Sequence, residues 1–484
     1  MATTLKPDIC VIGAGSGGLV VASAAASFGV DVVLIEEGKM GGDCLNYGCV
    51  PSKALIAAGK HAQAIREAPK FGVTAGSKTK GDGPAEPSVS FKKVHEHVKG
   101  VIDTIAPMDS VERFESLGVT VIKERGRFVD KNTVAAGDTI IKARRIVVAT
   151  GSAAFVPPIP GIDTVDYLTN ETIFEQTRNP GHLIVIGGGP IGMEMAQAHR
   201  RLGAKVTVVE GLKALGNDDP ELAALVLEKI RDDGVDIREG TKVTSVEKLG
   251  NDKVRVHIEA SDGAGHIDGD NLLVATGRAA TVDGLDLEKA GIEYTRRGIQ
   301  VDKKMRTTNR KVYAIGDVAG GLQFTHVAGY HAGLVIRAIL FRLNAKENTH
   351  IIPWCTYTDP ELAHVGHTEE TARETFKDIT ILRWPYAEND RAQAEKKTTG
   401  LIKIITRKNG TIEGVSIAGA MAGEMMNIWA LAISQKLKVK DIAGYVSPYP
   451  TMSEIGKRAA TSFYAPSTKK PFVRWVVRFL RIFG

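Results

Sequence analysis

The spacing of apolar and polar positions changes character several times along the chain. Residues 9–36, ICVIGAGSGGLVVASAAASFGVDVVLIE, begin with a short unbroken apolar run, pass through a glycine cluster, and continue as an alanine-rich stretch. A second apolar run then ends on an acid. This order predicts strand, tight turn, helix and strand, with strands buried on both faces. Shifting by 174 residues gives 183–210, LIVIGGGPIGMEMAQAHRRLGAKVTVVE, in which 10 of 28 positions are identical. No third copy follows, so the repeat is a duplicated βαβ opening and not a solenoid.

Each copy leads into short alternating strands and then an apolar run ending in Ala-Thr-Gly, at Gly151 and at Gly277. Residues 310–320, RKVYAIGDVAG, read as a late strand and turn that return to the first unit, and 76–88 as a polar Gly/Pro loop. From about 346 the texture changes to IIPWCTYT, LIKIITRK and GTIEGVSIAGA with helices between, which predicts an antiparallel sheet. The expected class is α/β with two Rossmann-like dinucleotide-binding domains, the second inserted in the first, and a C-terminal α+β domain. The expected boundaries are 1–153 and 281–345 for the first domain, 154–280 for the second, 346–465 for the third, and 466–484 for a tail.

Composition changes this picture little. The chain has 484 residues, 43% hydrophobic and 24% charged, which excludes wholesale disorder. Its 52 glycines exceed the usual ~7% share and point to many tight turns. The net charge of +6 suggests nucleic acid until it is located. No acid follows Glu454, whereas Lys457, Arg458, Lys469, Lys470, Arg474, Arg478 and Arg481 do; without these seven the body carries 55 basic and 56 acidic residues. Nucleic acid is therefore not an expected partner. Four cysteines do not make a disulfide framework, no signal-peptide pattern opens the chain, and no run of about 18 apolar residues occurs, so a cytoplasmic protein is expected.

Gly13-x-Gly15-x-x-Gly18 sits between strand and helix, with Glu36 placed 23 residues after Gly13. Gly187-x-Gly189-x-x-Gly192 and Glu210 repeat both context and offset. The first glycine permits the turn, the second lets a pyrophosphate approach the backbone, and the third lets helix and strand pack. The helix N-terminus favours the anion, and the acid is placed to accept bonds from ribose hydroxyls. A carboxylate at Glu210 repels a 2′-phosphate, so NADH is favoured over NADPH, with nearby Lys213 acting in the opposite sense.

Residues 41–53, GGDCLNYGCVPSK, carry the sharpest chemistry. Cys44 and Cys49 are five apart, a separation of ~7.5 Å along a straight helix, which exceeds the ~7 Å Cα limit for a disulfide. If they pair, the backbone is distorted, and Gly48 and Pro51 supply the means. Lys53, one helical turn after Cys49, is placed to favour a thiolate. The other reading is two buried free thiols.

With these motifs in this order, residues 8–465 resemble the class I pyridine nucleotide–disulfide oxidoreductases, the family of dihydrolipoamide dehydrogenase, glutathione reductase and mercuric reductase. The resemblance implies a homodimer of FAD, NAD(P) and interface domains. It makes Cys44 the interchange thiol that meets substrate and Cys49 the charge-transfer thiol against the flavin. Lys53 would pair with Glu194 near the flavin's reactive nitrogen, with Gly42 and Gly151 also in the FAD-binding set and Gly277 in the nucleotide-binding set. Asp317 matches the ligand of the FAD ribityl chain. His326-Val327-Ala328 begins a helix whose N-terminus faces the flavin pyrimidine, which places His326 and Ala328 at the cofactor. No metal site is expected.

One stretch departs from the family. Where dihydrolipoamide dehydrogenases and glutathione reductases resemble one another in His-Pro-x-x-x-Glu, this chain has Ser447-Pro448-Tyr449-Pro450-Thr451-Met452-Ser453-Glu454. Glu454 is kept, but Tyr449 replaces the histidine that serves the partner subunit's dithiol as acid–base. A phenol near pKa 10 is a poor base at neutral pH beside an imidazole near 6.5. Mercuric reductases resemble the chain in carrying a tyrosine there. They typically add a C-terminal vicinal cysteine pair, whereas the remaining cysteines here are Cys10 and Cys355. Soluble transhydrogenases lack the redox pair altogether.

The expected function is electron transfer from NADH through FAD and Cys44–Cys49 to a disulfide, metal-ion or other acceptor. Dihydrolipoamide oxidation is the first alternative. The second is a docking component working through its tail, where 471–484, PFVRWVVRFLRIFG, spaces Arg474, Arg478 and Arg481 as on a basic amphipathic helix. Such a helix suits its own dimer, a protein partner or a membrane surface, which would make the protein peripheral to the membrane.

Overall fold

A computed structural model describes residues 3–74, 86–250 and 253–484, in two compact units. The loop expected at 76–88 lies, over 76–85, outside the described residues.

The first unit comprises residues 1–211 and 236–348. Its first apolar run forms strand Ile9–Ile12, wholly buried, with helix Ser16–Ser27 and strand Val32–Ile35 following. These belong to a five-stranded parallel sheet in the order Val312–Ala314, Arg145–Val148, Ile9–Ile12, Val32–Ile35, Thr120–Ile122. The late strand Val312–Ala314 thus joins the sheet that the N-terminus began, pairing Val312 with Ile146. Apolar side chains on both faces explain the unbroken runs: Val11 and Leu34 enter one core cluster, Cys10 and Ile35 another. Cys10 is fully buried, and burial pushes its thiol up to about 12, as for a small hydrophobe.

The repeat holds to the residue. Helix Pro190–Arg201 is helix Ser16–Ser27 displaced by the same 174 positions, between strands His182–Ile186 and Lys205–Val209. Its sheet is parallel and four-stranded, in the order Asp236–Arg238, Lys205–Val209, His182–Ile186, Asn271–Val274. A three-stranded antiparallel sheet, Lys242–Lys248, Val254–Ala260 and Gly263–Gly269, adds Val256 and Ile267 to its core.

The second unit comprises residues 212–235 and 349–484. Its antiparallel sheet runs Trp354–Thr356, Glu361–Gly366, Ile412–Gly419, Leu401–Arg407, Ile379–Pro385. Helices Ala422–Ser434 and Glu454–Ser462 cover a core that includes Ile402, Val415, Trp429 and Ile455. Helix Pro220–Asp232 belongs to this unit, and a buried charge cluster shows why. Asp219 caps the helix, accepting from the backbone N–H groups of Glu221 and Leu222. Lys403, 3% exposed, reaches Asp219 at 2.8 Å, Glu221 at 2.7 Å and Glu369 at 3.2 Å. An ammonium withdrawn from water needs such carboxylate partners.

Candidate active site

Both glycine motifs build the same turn. Gly13 and Gly187 have φ of +105° and +110°, and a Cβ on either would fall 2.4 Å from the carbonyl of Ala149 or Ala275 in the Ala-Thr-Gly turns. A Cβ on Gly18 or Gly192 would fall 1.9 or 2.0 Å from the carbonyl oxygen of Gly13 or Gly187, so helix and strand meet backbone to backbone. Gly15 and Gly189 are the N-caps of their helices, and neither helix has a side-chain cap.

Glu36 and Glu210 do more than end a strand. Glu36 accepts from the Ala14 N–H at 2.7 Å and the Gly38 N–H at 2.6 Å, and Glu210 accepts from the Gly188 N–H at 2.7 Å. Each carboxylate braces the glycine turn beside it, a contact that the 23-residue offset does not announce.

The redox loop breaks where a straight helix would separate the thiols. Cys44 lies in helix Gly42–Asn46, and Cys49 opens helix Cys49–Glu67 after a break at Tyr47 and Gly48. A Cβ on Gly48 would lie 2.7 Å from Asp43 Oδ2, so only glycine fits the junction without displacing that carboxylate. Pro51 sits in the first turn of the second helix, where its missing N–H costs nothing. Gly42 brings the loop against the first glycine turn: its Cβ would fall 2.7 Å from Gly15 Cα.

Both thiols are free, and their environments drive them apart. The Cys49 thiol is lowered to about 6, chiefly by the hydrogen bond from Cys44, helped by Thr325 and the charge of Lys53. Cys44 is pushed the other way, first by its hydrogen bond to Cys49 and then by burial. Cys49 is therefore the thiolate and Cys44 its neutral donor. Lys53 Nζ lies 2.8 Å from Glu194 Oε2, and Glu194 is buried in helix Pro190–Arg201.

Four contributors, Thr325, Arg278, Ser152 and His331, are absent from the residues singled out above. Thr325 Oγ1 lies 3.3 Å from Cys49 Sγ, and Thr325, one residue ahead of His326, opens helix Thr325–Leu340. His326 stacks on Phe324, with ring centroids 5.3 Å apart. Arg278 pairs with Asp43 at 3.1 Å and donates to Ser152 Oγ at 2.7 Å, while Ser152 donates to Asp317 Oδ2 at 2.5 Å. Burial raises the Asp317 carboxyl above its usual value, opposed by Ser152 and Arg278. His331 Nδ1 accepts from the Gly316 N–H, which leaves its Nε2–H to donate to Glu347 at 2.9 Å. Thr325, Arg278 and Ser152 lie far in sequence from what they support, so no local pattern marks them; only the polar side chain of Thr325 at a helix start was a signal.

In the second unit, Tyr449 is exposed and its hydroxyl donates to Asp390 Oδ2 at 2.9 Å. That carboxylate holds the phenol above its ordinary pKa. Arg458 lies between Asp390, at 3.8 Å, and Glu454, at 3.0 Å. The other Glu454 oxygen is buried with no hydrogen-bond partner among the described residues. Cys355, half-buried, lies in strand Trp354–Thr356. No group of three or more His, Cys, Asp or Glu able to hold a metal ion occurs among the described residues. No helix among them is long and apolar enough to cross a membrane.

Residues 7–332 match the pyridine nucleotide-disulphide oxidoreductase family, and 352–460 match that family's dimerisation domain, which supports a homodimer. The chain is 34% identical to a mercuric reductase of Bacillus cereus over 94% of its own length and 71% of the relative's. It is 34% identical to the dihydrolipoyl dehydrogenase of Bacillus subtilis over 94% of its own length and 96% of that enzyme's. The Cu(II) complex of RclA, a HOCl-induced flavoprotein disulfide reductase of Escherichia coli, superposes with a TM-score of 0.83 at 28% identity, covering 94% of this chain and 99% of that one.

The residues present fit the FAD and pyridine nucleotide that this family implies. A Cβ on Gly189 would meet nothing within 4 Å, and one on Gly15 only Gly42 Cα at 3.9 Å, so both uncapped helix N-termini have room for a pyrophosphate. The oppositely shifted thiols and the Lys53–Glu194 pair supply the disulfide half of such a site. The chain belongs to the class I pyridine nucleotide–disulphide oxidoreductases, a family of FAD-dependent enzymes.

Proposed function

We propose that the protein passes electrons from NADH, by way of FAD and the Cys44–Cys49 pair, to an acceptor other than lipoamide. FAD, when bound, supplies two-electron transfer between the nicotinamide and the disulfide. The glycine turns at 13–18 and 187–192 seat the two pyrophosphates, and Asp317 binds the ribityl chain. The Glu210 carboxylate disfavours a 2′-phosphate, which supports NADH over NADPH.

The observation that carries this reading is the opposite displacement of the two thiols. Two-electron reduction of a Cys44–Cys49 disulfide leaves one thiolate and one thiol. Cys49 is held as the thiolate by Cys44, Thr325 and Lys53. Cys44 is then the sulfur that meets the acceptor, passing its proton to the Cys49 thiolate as it attacks an acceptor disulfide, whose other sulfur leaves as a thiolate, or binds a metal ion. Glu194 orients the Lys53 ammonium beside Cys49. The mercuric-reductase likeness and Tyr449 favour a metal-ion or disulfide acceptor whose reduction needs no imidazole base. Tyr449, kept protonated by Asp390, to which it gives its one O–H, offers the dithiol no base. Dihydrolipoamide oxidation is the second reading; the near-complete length match to dihydrolipoyl dehydrogenase supports it and the missing base opposes it. The enzyme is cytoplasmic, and residues 471–484 bring it to a membrane surface.

The test is anaerobic titration of the purified holoenzyme with NADH. Bleaching of the flavin absorbance is expected, with a long-wavelength thiolate–flavin band in the two-electron-reduced protein. Cys44→Ser should abolish acceptor reduction and keep that band, and Cys49→Ser should lose it. The reverse pattern exchanges the two roles.

A further inference from the structure

After Ala465–Lys469 the chain forms helix Pro471–Leu480 and a last turn at Arg481–Phe483. None of its side chains is buried. Phe472, Trp475, Phe479 and Phe483 form one continuous row, the first three stacked and Phe483 edge-on to Phe479, with successive centroids 6.2, 5.7 and 5.2 Å apart. At roughly 100° per residue these four rings occupy one arc of the helix, and Arg474, Arg478 and Arg481 lie roughly 140° round from its centre. Phe472 is 71% exposed, Trp475 59% and Phe483 73%. Among the described residues, Lys469, Lys470, Arg474, Arg478 and Arg481 form no ion pair.

From this arrangement we infer that the tail is an interfacial anchor for an anionic phospholipid surface, resting on the reading above that residues 471–484 contact a membrane. The row of four aromatic rings buries into the boundary between headgroups and acyl chains, the depth at which amphipathic helices lie. The arginines on the opposite arc extend along the surface to phosphate oxygens, and Lys469 and Lys470 add charge at the entry to the helix. Five cations without counter-charges in a stretch devoid of acids complement an anionic leaflet and not a neutral one. Tail-to-tail docking would set these cations against like charges, because the tail itself has no acidic side chain. In a homodimer two tails act together, so weak single contacts sum to a firm one.

The experiment is co-sedimentation of the full-length holoenzyme with vesicles of pure phosphatidylcholine or with about 30 mol % phosphatidylglycerol added. Partitioning about tenfold stronger onto the anionic vesicles is expected, lost at high salt as screening shortens the field. Replacing Arg474, Arg478 and Arg481 together by Gln should erase that preference. Trp475→Ser with Phe479→Ser should abolish binding to both vesicle types, and NADH-dependent flavin bleaching should be unchanged in both variants. Equal binding to the two vesicle types leaves membrane contact standing and overturns the anionic-lipid inference. Binding to neither overturns both, as does a vesicle-independent change of oligomeric mass on removing 466–484, or a preference for duplex DNA over vesicles.

Discussion

The Lys53 ammonium lies 2.8 Å from the Glu194 carboxylate across 141 residues of sequence, joining the helix that begins at Cys49 to the helix that follows the second glycine motif. Lys53 also contributes to lowering the Cys49 thiol. Lys53→Met should slow NADH-dependent bleaching of the flavin by roughly tenfold to a hundredfold, the scale of losing one positioned charge. Glu194→Gln should slow it less, because the ammonium stays but is no longer held. Stopped-flow absorbance at equal flavin content checks both, and unaltered rates would remove the pair from the reaction.

Thr325 is the second group acting on Cys49. Thr325→Val should move the midpoint of the thiolate band upward from about 6 by about one pH unit, the effect of losing one hydrogen bond to a charged acceptor. Thr325→Ser should restore it. Because a lowered thiol is ionised above its midpoint, acidifying the reduced enzyme through pH 6 should remove the band. A pH titration of the long-wavelength absorbance reads all three.

Tyr449 carries the distinction between acceptors. Tyr449→His should raise dihydrolipoamide turnover by roughly a hundredfold, the lower range of general acid–base catalysis, with a new inflection near the imidazole pKa. Fast dihydrolipoamide turnover by the unaltered protein would show that the phenol is no obstacle.

Asp218 links pH to stability in the second unit. Burial pushes its carboxyl up to about 6, against the bond from Trp354 Nε1–H at 2.8 Å, with the charge of Asp219 adding to the rise. With the folded pKa above the unfolded one, the contribution is present in full below about pH 4 and is lost as pH rises to about 6. Asp218→Asn, which keeps an acceptor for Trp354, should abolish that dependence and stabilise the protein at pH 7 by about 1–3 kcal/mol. Denaturant melts at pH 4.5 and pH 7, chosen to bracket the folded value, check the sign: the gain should be clearly larger at the higher pH.

Local patterns carried the fold a long way. The displaced copies at 9–36 and 183–210 became strand–turn–helix–strand units with helices at matching positions, because buried parallel strands demand unbroken apolar runs and the phosphate turn demands its glycines. The helix Pro220–Asp232 was less legible. Its membership of the second unit depends on Lys403 meeting Asp219 and Glu221, a pairing across some 180 residues that no periodicity records.

The same division runs through the site. By itself the sequence determined the family and laid out the two glycine turns, the cysteine pair and the odd tyrosine, because each is written in residues a few positions apart. For the thiols the sequence offered Lys53, one turn after Cys49, but the groups that lower Cys49 most and second, Cys44 and Thr325, are brought to it only by tertiary structure. Cys44, Cys49, Lys53 and Thr325 come from three helices, and a pKa answers to the charges and donors within a few ångströms, whatever their separation along the chain.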